Sequence, residues 1–141
     1  MKIGKTFTFD AAHRLQDHEG KCRNLHGHTY SVVVTLEGEL DDPGSGRSGA
    51  GMVLDFSRLG EWWKPLSHVL DHAALLQETD PLVNLLTLLS PPVRITTFRF
   101  PPTAECLADW IYDDLASWLA PMVVHAFSVR VYETPTSWAE R

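Results

Sequence analysis

The strongest constraint on this chain is a histidine-bearing segment that runs straight into an alternating apolar row. It reads Cys22-Arg23-Asn24-Leu25-His26-Gly27-His28, followed by Thr29-Tyr30-Ser31-Val32-Val33-Val34-Thr35-Leu36. Side chains of a strand alternate between its two faces. His26 and His28 therefore share a face with Tyr30, Val32, Val34 and Leu36, at the end of a row that must point into a core. The segment is committed to a half-buried strand, and that strand carries two imidazoles to the edge of the core.

A third imidazole, His13, lies upstream in Phe9-Asp10-Ala11-Ala12-His13-Arg14-Leu15. Three neutral imidazoles suit zinc and leave a fourth tetrahedral position for water or substrate, the arrangement of a catalytic site. The plainer reading makes them polar or capping residues, which would suffice for one lone histidine. An H-x-H pair with an upstream His and a nearby Cys favours a metal. Cupins also use H-x-H, but with a Glu four or five residues later, where this chain has Val32 and Val33. Cys22 has three open roles: fourth ligand, general base or nucleophile, or passive loop residue. As a ligand it would close the site into a structural one, whereas a thiol beside a dication would have a lowered pKa and serve as a base.

Two further groups stand out. Asp71-His72 reads either as a helix end, where a cationic His suits the dipole, or as a functional pair. Glu133 shares strand parity with Val129 and Val131, so a carboxylate closes an apolar row. A buried carboxylate needs partners, and a planar ligand with two parallel N–H donors would supply them. A salt bridge to Arg130 is the competing reading, opposed by strand parity. His18, His68 and His125 carry no functional reading.

Composition sets the bounds. The chain has 141 residues, a net charge of −6 and a pI near 5.5, which argues against a general nucleic-acid binder. One domain spanning residues 1–141 is expected. Two cysteines suggest reduced thiols rather than a disulfide framework. Met1 to Asp10 is too short and polar for a signal segment, and no apolar run reaches membrane-spanning length, so a cytoplasmic location away from any membrane is expected.

The expected elements follow hydrophobic periodicity. Ile3–Phe9 and His28–Gly38 read as strands, and residues 41–51 as a connector to a short returning strand at Met52-Val53-Leu54, giving a long-looped hairpin. Asp55 or Ser57 caps a helix bearing Leu59, Trp62, Trp63, Leu66, Val69 and Leu70, with a kink or break at Pro65. Asp80-Pro81 starts a short helix, apolar nearly all round, to be buried or covered by another subunit. Val93–Phe100 reads as a strand with a bulge at Thr96-Thr97, and Thr103 caps a helix that Pro121 stops. The last strand would carry Val123, His125, Phe127, Val129, Val131 and Glu133 on one face. The order describes one α+β unit.

Taken together, Phe9-Asp10-Ala11-Ala12-His13-Arg14-Leu15, Cys22-x3-His26-Gly27-His28, Gly51-Met52-Val53-Leu54-Asp55-Phe56, Leu70-Asp71-His72, Pro102-Thr103-Ala104-Glu105 and Tyr132-Glu133-Thr134 resemble the 6-pyruvoyltetrahydropterin synthase superfamily. The three-residue gap between Cys22 and His26 is most similar to its 6-carboxytetrahydropterin synthase branch. The resemblance implies a tunnelling fold: a four-stranded antiparallel sheet with helices on one face, three sheets closing into a β-barrel, two trimers stacking into a homohexamer, and active sites between subunits. It implies His13, His26 and His28 as zinc ligands, Cys22 as proton acceptor, and Asp71 with His72 as relay. Glu133 would grip the pterin, with Thr103 and Glu105 near the same pocket. The implied substrate is 7,8-dihydroneopterin triphosphate, converted with loss of triphosphate and acetaldehyde to 6-carboxytetrahydropterin, a precursor of queuosine and other 7-deazapurines. The rival readings are the pyruvoyl reaction, which eliminates triphosphate without carbon–carbon cleavage, and a non-catalytic metal- or pterin-binding module. Arg14, Lys21 and Arg23 are the expected phosphate-holding cations. The chain departs from the family at Leu75-Leu76, Pro101 and Cys106, and in a longer segment between Glu78 and Phe100.

Overall fold

The computed structural model describes all 141 residues. Its backbone is a mixed sheet with two long helices packed against its core face. The strands are β1 (Lys2–His13), β2 (His26–Glu37), β3 (Ala73–Gln77), β4 (Ile95–Phe98), β5 (His125–Thr134) and β6 (Ser137–Glu140), in the sheet order β4-β3-β1-β2-β5-β6. Helices α1 (Phe56–Leu70), α2 (Pro81–Thr87) and α3 (Ala104–Leu119) lie between them.

The α+β class agrees with the sequence reading, but the strand count and direction do not, and α2 lies outside the core that α1 and α3 cover, its Leu86 lining a cleft with Asp10, Ala12 and Gly27. Six strands form the sheet rather than four, and β3 pairs parallel with both β1 and β4. The strand β3, Ala73-Ala74-Leu75-Leu76-Gln77, was hidden because its first four residues are all buried. A strand covered on both faces shows no alternation to read. The expected returning strand at Met52–Leu54 is absent: those residues are irregular, and Asp41 N–H bonds the Met52 carbonyl at 2.8 Å within a loop.

Periodicity misled at two other strands. The β3–β4 register runs unbroken from Ala74↔Ile95 to Gln77↔Phe98, so Thr96-Thr97 is no bulge. The irregularity falls instead where β2 meets β5, between Thr35↔Ser128 and Leu36↔Ala126. A one-residue slip inverts the faces. Val129 and Val131 are buried while Val123 is 91% exposed and Phe127 46%, so they do not share one face; Val124 takes the inward place before the slip.

Helix caps were the easiest features to read. Asp55, Asp80 and Thr103 each accept a backbone N–H at the start of α1, α2 and α3, from Ser57, Leu82 and Cys106. The expected break at Pro65 does not occur, since α1 runs uninterrupted to Leu70. Pro65 sits on the exposed side, where water can satisfy the freed carbonyl, while Leu59, Trp62, Trp63, Leu66 and Leu70 are locked into the core. The core joins these side chains to Phe9, Tyr30, Val32, Val34, Leu36, Val129 and Val131 of the sheet and Leu107, Ile111 and Leu115 of α3. No helix is long and apolar enough to cross a membrane.

Candidate metal centre

Strands β1 and β2 pair antiparallel from Lys2↔Glu37 to His13↔His26, with Ala11 opposite His28. This register follows from the matching alternation of the two strands, and it closes at the histidines. Gly27 separates His26 from His28 because a Cβ there would lie 3.0 Å from the Ala11 carbonyl oxygen. The close approach of the two strands at this end therefore requires glycine.

The three imidazoles meet on the helix-facing side of the sheet. Their ring centroids are 4.5 Å (His13–His26), 5.1 Å (His13–His28) and 5.0 Å (His26–His28) apart. One nitrogen from each lies within 4.8 Å of the others. Two rings are oriented by backbone carbonyls: His13 Nδ1 donates to Pro102 O and His26 Nδ1 donates to Asn24 O, both at 2.8 Å. A carbonyl can only accept, so the proton sits on Nδ1 and each Nε2 is left with a free lone pair. Such outer contacts are how metal-ligating histidines are held.

The His13 ring is 2% exposed and its Nε2 has no hydrogen-bond partner within the protein. Burial, foremost, pushes its pKa down to about 4, with His26 and His28 adding to the effect. It is neutral at pH 7 and able to ligate. An orphaned buried nitrogen, in a set of three converging imidazoles, fits a nitrogen-loving dication such as zinc.

The remaining residues fall into three groups. Glu133 stands at this centre: its Oε1 is 3.9 Å from His13 Nε2, and Arg130 pairs with Glu140 instead. Cys22 lies half-buried on a single 3-10 turn, Lys21–Arg23, outside the three-imidazole cluster. Its carbonyl accepts the Leu15 N–H at 2.9 Å, which ties the turn to the end of β1. Thr103 is one residue beyond the carbonyl that orients His13, its hydroxyl capping α3. Glu105 is exposed and lines a separate groove with Phe100, Trp110 and Arg141.

Asp71 and His72 lie elsewhere. Asp71 Oδ1 accepts the Asp10 N–H and its Oδ2 meets His72 Nδ1, both at 2.9 Å. The Asp10 hydrogen bond, with His72 next, holds the Asp71 carboxyl below its ordinary range. His72 has φ +56°, sparsely populated for a residue with a Cβ, and its N–H is fixed on Asp10 O at 2.6 Å. Its ring, 74% exposed, opens on a cleft of about 650 Å³ whose lining includes Asp10, Ala12, Gly27, Thr29, Arg94 and, of the three cluster histidines, His28. Strand parity puts Asp10, Ala12, Gly27 and Thr29 on the face opposite the imidazoles.

Arg14 is not the free cation expected from sequence. It forms a two-pronged pair with Asp80, which is 2% exposed and caps α2 as well. Sequence reasoning missed this pair, 66 residues apart. It also missed the backbone acceptors Asn24 and Pro102, since a carbonyl carries no residue signature, and read Tyr30 only as core.

Comparison with known proteins agrees over the full chain. The family model for 6-pyruvoyl tetrahydropterin synthase matches residues 2–141. The 6-carboxy-5,6,7,8-tetrahydropterin synthase of Haemophilus influenzae is 37% identical over 143 aligned residues, covering 99% of this chain and 97% of the relative. The protein of the same name from Synechocystis is 39% identical, covering 97% and 89%. Among solved structures, an uncharacterized protein from Wolinella succinogenes superposes with a TM-score of 0.85 at 28% identity, covering 100% of this chain and 97% of that one. The 6-pyruvoyl tetrahydropterin synthase of Caenorhabditis elegans gives 0.68 at 27%, covering 100% and 94%. A model match across nearly every residue, on a sheet that gathers three imidazoles at one end, makes the chain a member of the 6-pyruvoyl tetrahydropterin synthase family.

Proposed function

We propose that this chain is a 6-carboxy-5,6,7,8-tetrahydropterin synthase, a zinc-dependent lyase that converts 7,8-dihydroneopterin triphosphate to 6-carboxytetrahydropterin, acetaldehyde and triphosphate. The observation that carries the reading is the converging three-histidine set, two of its rings oriented by backbone carbonyls, in a chain alike over its whole length to relatives of that name. The product would feed queuosine or a related 7-deazapurine.

His13 and His26 would hold the metal through Nε2, the nitrogen their backbone contacts leave free, with His28 as the third ligand. When bound, zinc supplies Lewis-acid polarisation of oxygens on the substrate side chain. Cys22, on the turn anchored to the end of β1, is the group proposed to take a carbon-bound proton. Asp71 remains ionised and fixes the His72 ring through Nδ1, so Nε2 is the atom that returns a proton. Glu133 supplies a carboxylate for two N–H donors of the pterin, with Thr103, next to the carbonyl that orients His13, as a further substrate contact; Glu105, in its separate groove, is left out of this chain's site. Lys21 and Arg23 are exposed and remain the phosphate-holding candidates; Arg14 is committed to Asp80.

A homohexamer is part of the proposal. Within one chain, His72 faces away from the imidazoles, and α2 buries none of its own residues although Leu85, Leu88 and Leu89 are more than half exposed. A neighbouring copy that brings its His72 to this centre would account for both.

Mass analysis of products from 7,8-dihydroneopterin triphosphate and zinc-loaded protein tests the reading. 6-Carboxytetrahydropterin with acetaldehyde is the expected result. A pyruvoyl product would move the chain to the sister activity, and bound zinc without turnover would favour a metal- or pterin-binding module.

A further inference from the structure

Two buried side-chain polar atoms have no hydrogen-bond partner within the protein, His13 Nε2 and the Tyr30 hydroxyl, and their rings pack against each other with centroids 5.8 Å apart. The first is explained by a metal. The second is not. Tyr30 is fully buried, and a buried hydroxyl is ordinarily bonded. Its ring is clamped, stacked on Phe9 at 4.7 Å and 8°, with the His13 and His28 rings edge-on at 5.8 and 5.5 Å. A ring fixed on three sides cannot swing its hydroxyl toward another acceptor. Glu133 is also at this cluster, its Oε1 3.9 Å from His13 Nε2. The hydroxyl, a donor by its ordinary chemistry, is buried on a ring packed edge-on against two of three imidazoles that would leave a metal an open position for oxygen.

We infer that Tyr30 is a positioning residue of the metal centre, its hydroxyl donating a hydrogen bond to the oxygen that completes the metal's coordination. That oxygen belongs to water in the resting protein and to the substrate side chain in turnover. The inference rests on the three-histidine metal reading. It explains why a tyrosine, not a phenylalanine, occupies a position that packs as pure core, since phenylalanine would fill the same space with no unpaired hydroxyl.

The test is Tyr30→Phe compared with wild type, each metal-free and zinc-loaded, measuring zinc affinity by chelator competition and Tm in both states. Removing an unpaired hydroxyl should raise the metal-free Tm by roughly 3 °C. The same change should weaken zinc roughly 10-fold, the lower end for groups that support metal ligands. The visible absorption of the cobalt-substituted protein should shift as well. Zinc affinity within twofold of wild type, with equal Tm changes in both states and an unmoved cobalt spectrum, would overturn the inference. In a Glu133→Gln background the loss of affinity should persist; its disappearance would assign the hydroxyl to Glu133 and also overturn it. Failure of wild-type protein to bind zinc at all is a different result, which removes the metal reading itself.

Discussion

The two histidine sites differ in almost every physical respect. At the β1–β2 end, His13 is 2% exposed, its outer nitrogen held by a backbone carbonyl, its neighbours two more imidazoles. After α1, His72 is 74% exposed, held by a carboxylate that is itself 40% exposed, on the other face of the sheet. The first site is complete in one chain because strand pairing builds it. The second is oriented but faces outward, and one chain gives it nothing to act on. The His72 ring is fixed by Asp71 and its backbone sits at positive φ, and in the proposed assembly another copy would supply the contact.

The largest effect should come from the complete site. His28→Ala should abolish zinc binding, read by metal analysis, and turnover with it; retained stoichiometric zinc would break the comparison. Next, Cys22→Ala should keep zinc and lower turnover about 10²- to 10⁴-fold. Loss of zinc would make Cys22 a ligand. His72→Ala alone should be similarly crippled with zinc intact. Co-assembly of Cys22→Ala and His72→Ala subunits in equal amounts should then restore about a quarter of wild-type activity, if each site draws one residue from each of two copies. No recovery would place both groups in one chain's site.

A smaller effect is expected at Asp80, which joins the loop bearing Arg14 to α2. Asp80→Asn should cost about 2–3 kcal/mol, less than a fully buried pair because Arg14 keeps some solvent contact. The Arg14 hydrogen bond holds the Asp80 carboxyl below its ordinary range. A lowered folded-state pKa means the stabilisation is fully present above the unfolded value of about 4 and is lost as pH falls through the lower folded one. The Tm gap between wild type and Asp80→Asn should therefore be widest above about pH 5 and shrink in acid. Smallest of all, Arg130→Ala, which removes a solvent-screened pair with Glu140, should leave both Tm and zinc binding close to wild type.

What could be read in advance tracks how local the physics is. The parity of His26 and His28 with Tyr30 to Leu36, the caps Asp55, Asp80 and Thr103, and the core faces of α1 and α3 all depend on neighbours along the chain. So did the helical stripe carried past Pro65, where the local rule was right about the lost bond and wrong about its consequence. The strand β3 was invisible because full burial erases alternation, and β6 because four mostly exposed residues carry little pattern. The β2–β5 slip near Ser128 depends on a partner strand that sequence periodicity does not contain.

The amino-acid sequence by itself determined which three histidines converge, the strand faces that bear them, the helix starts and the family. Each of these is written in residue identity at short spacing. Tertiary structure alone decided that β3 runs parallel beside β1, that Arg14 is held by Asp80 rather than left for phosphate, and that the Tyr30 ring, its hydroxyl buried without a partner, packs edge-on against two of the histidines. It also decided that His72 faces away from them. These depend on pairings between distant segments, and the free energy that selects one such pairing comes from burial and hydrogen bonding across the whole core, not from the residues at either end of the contact.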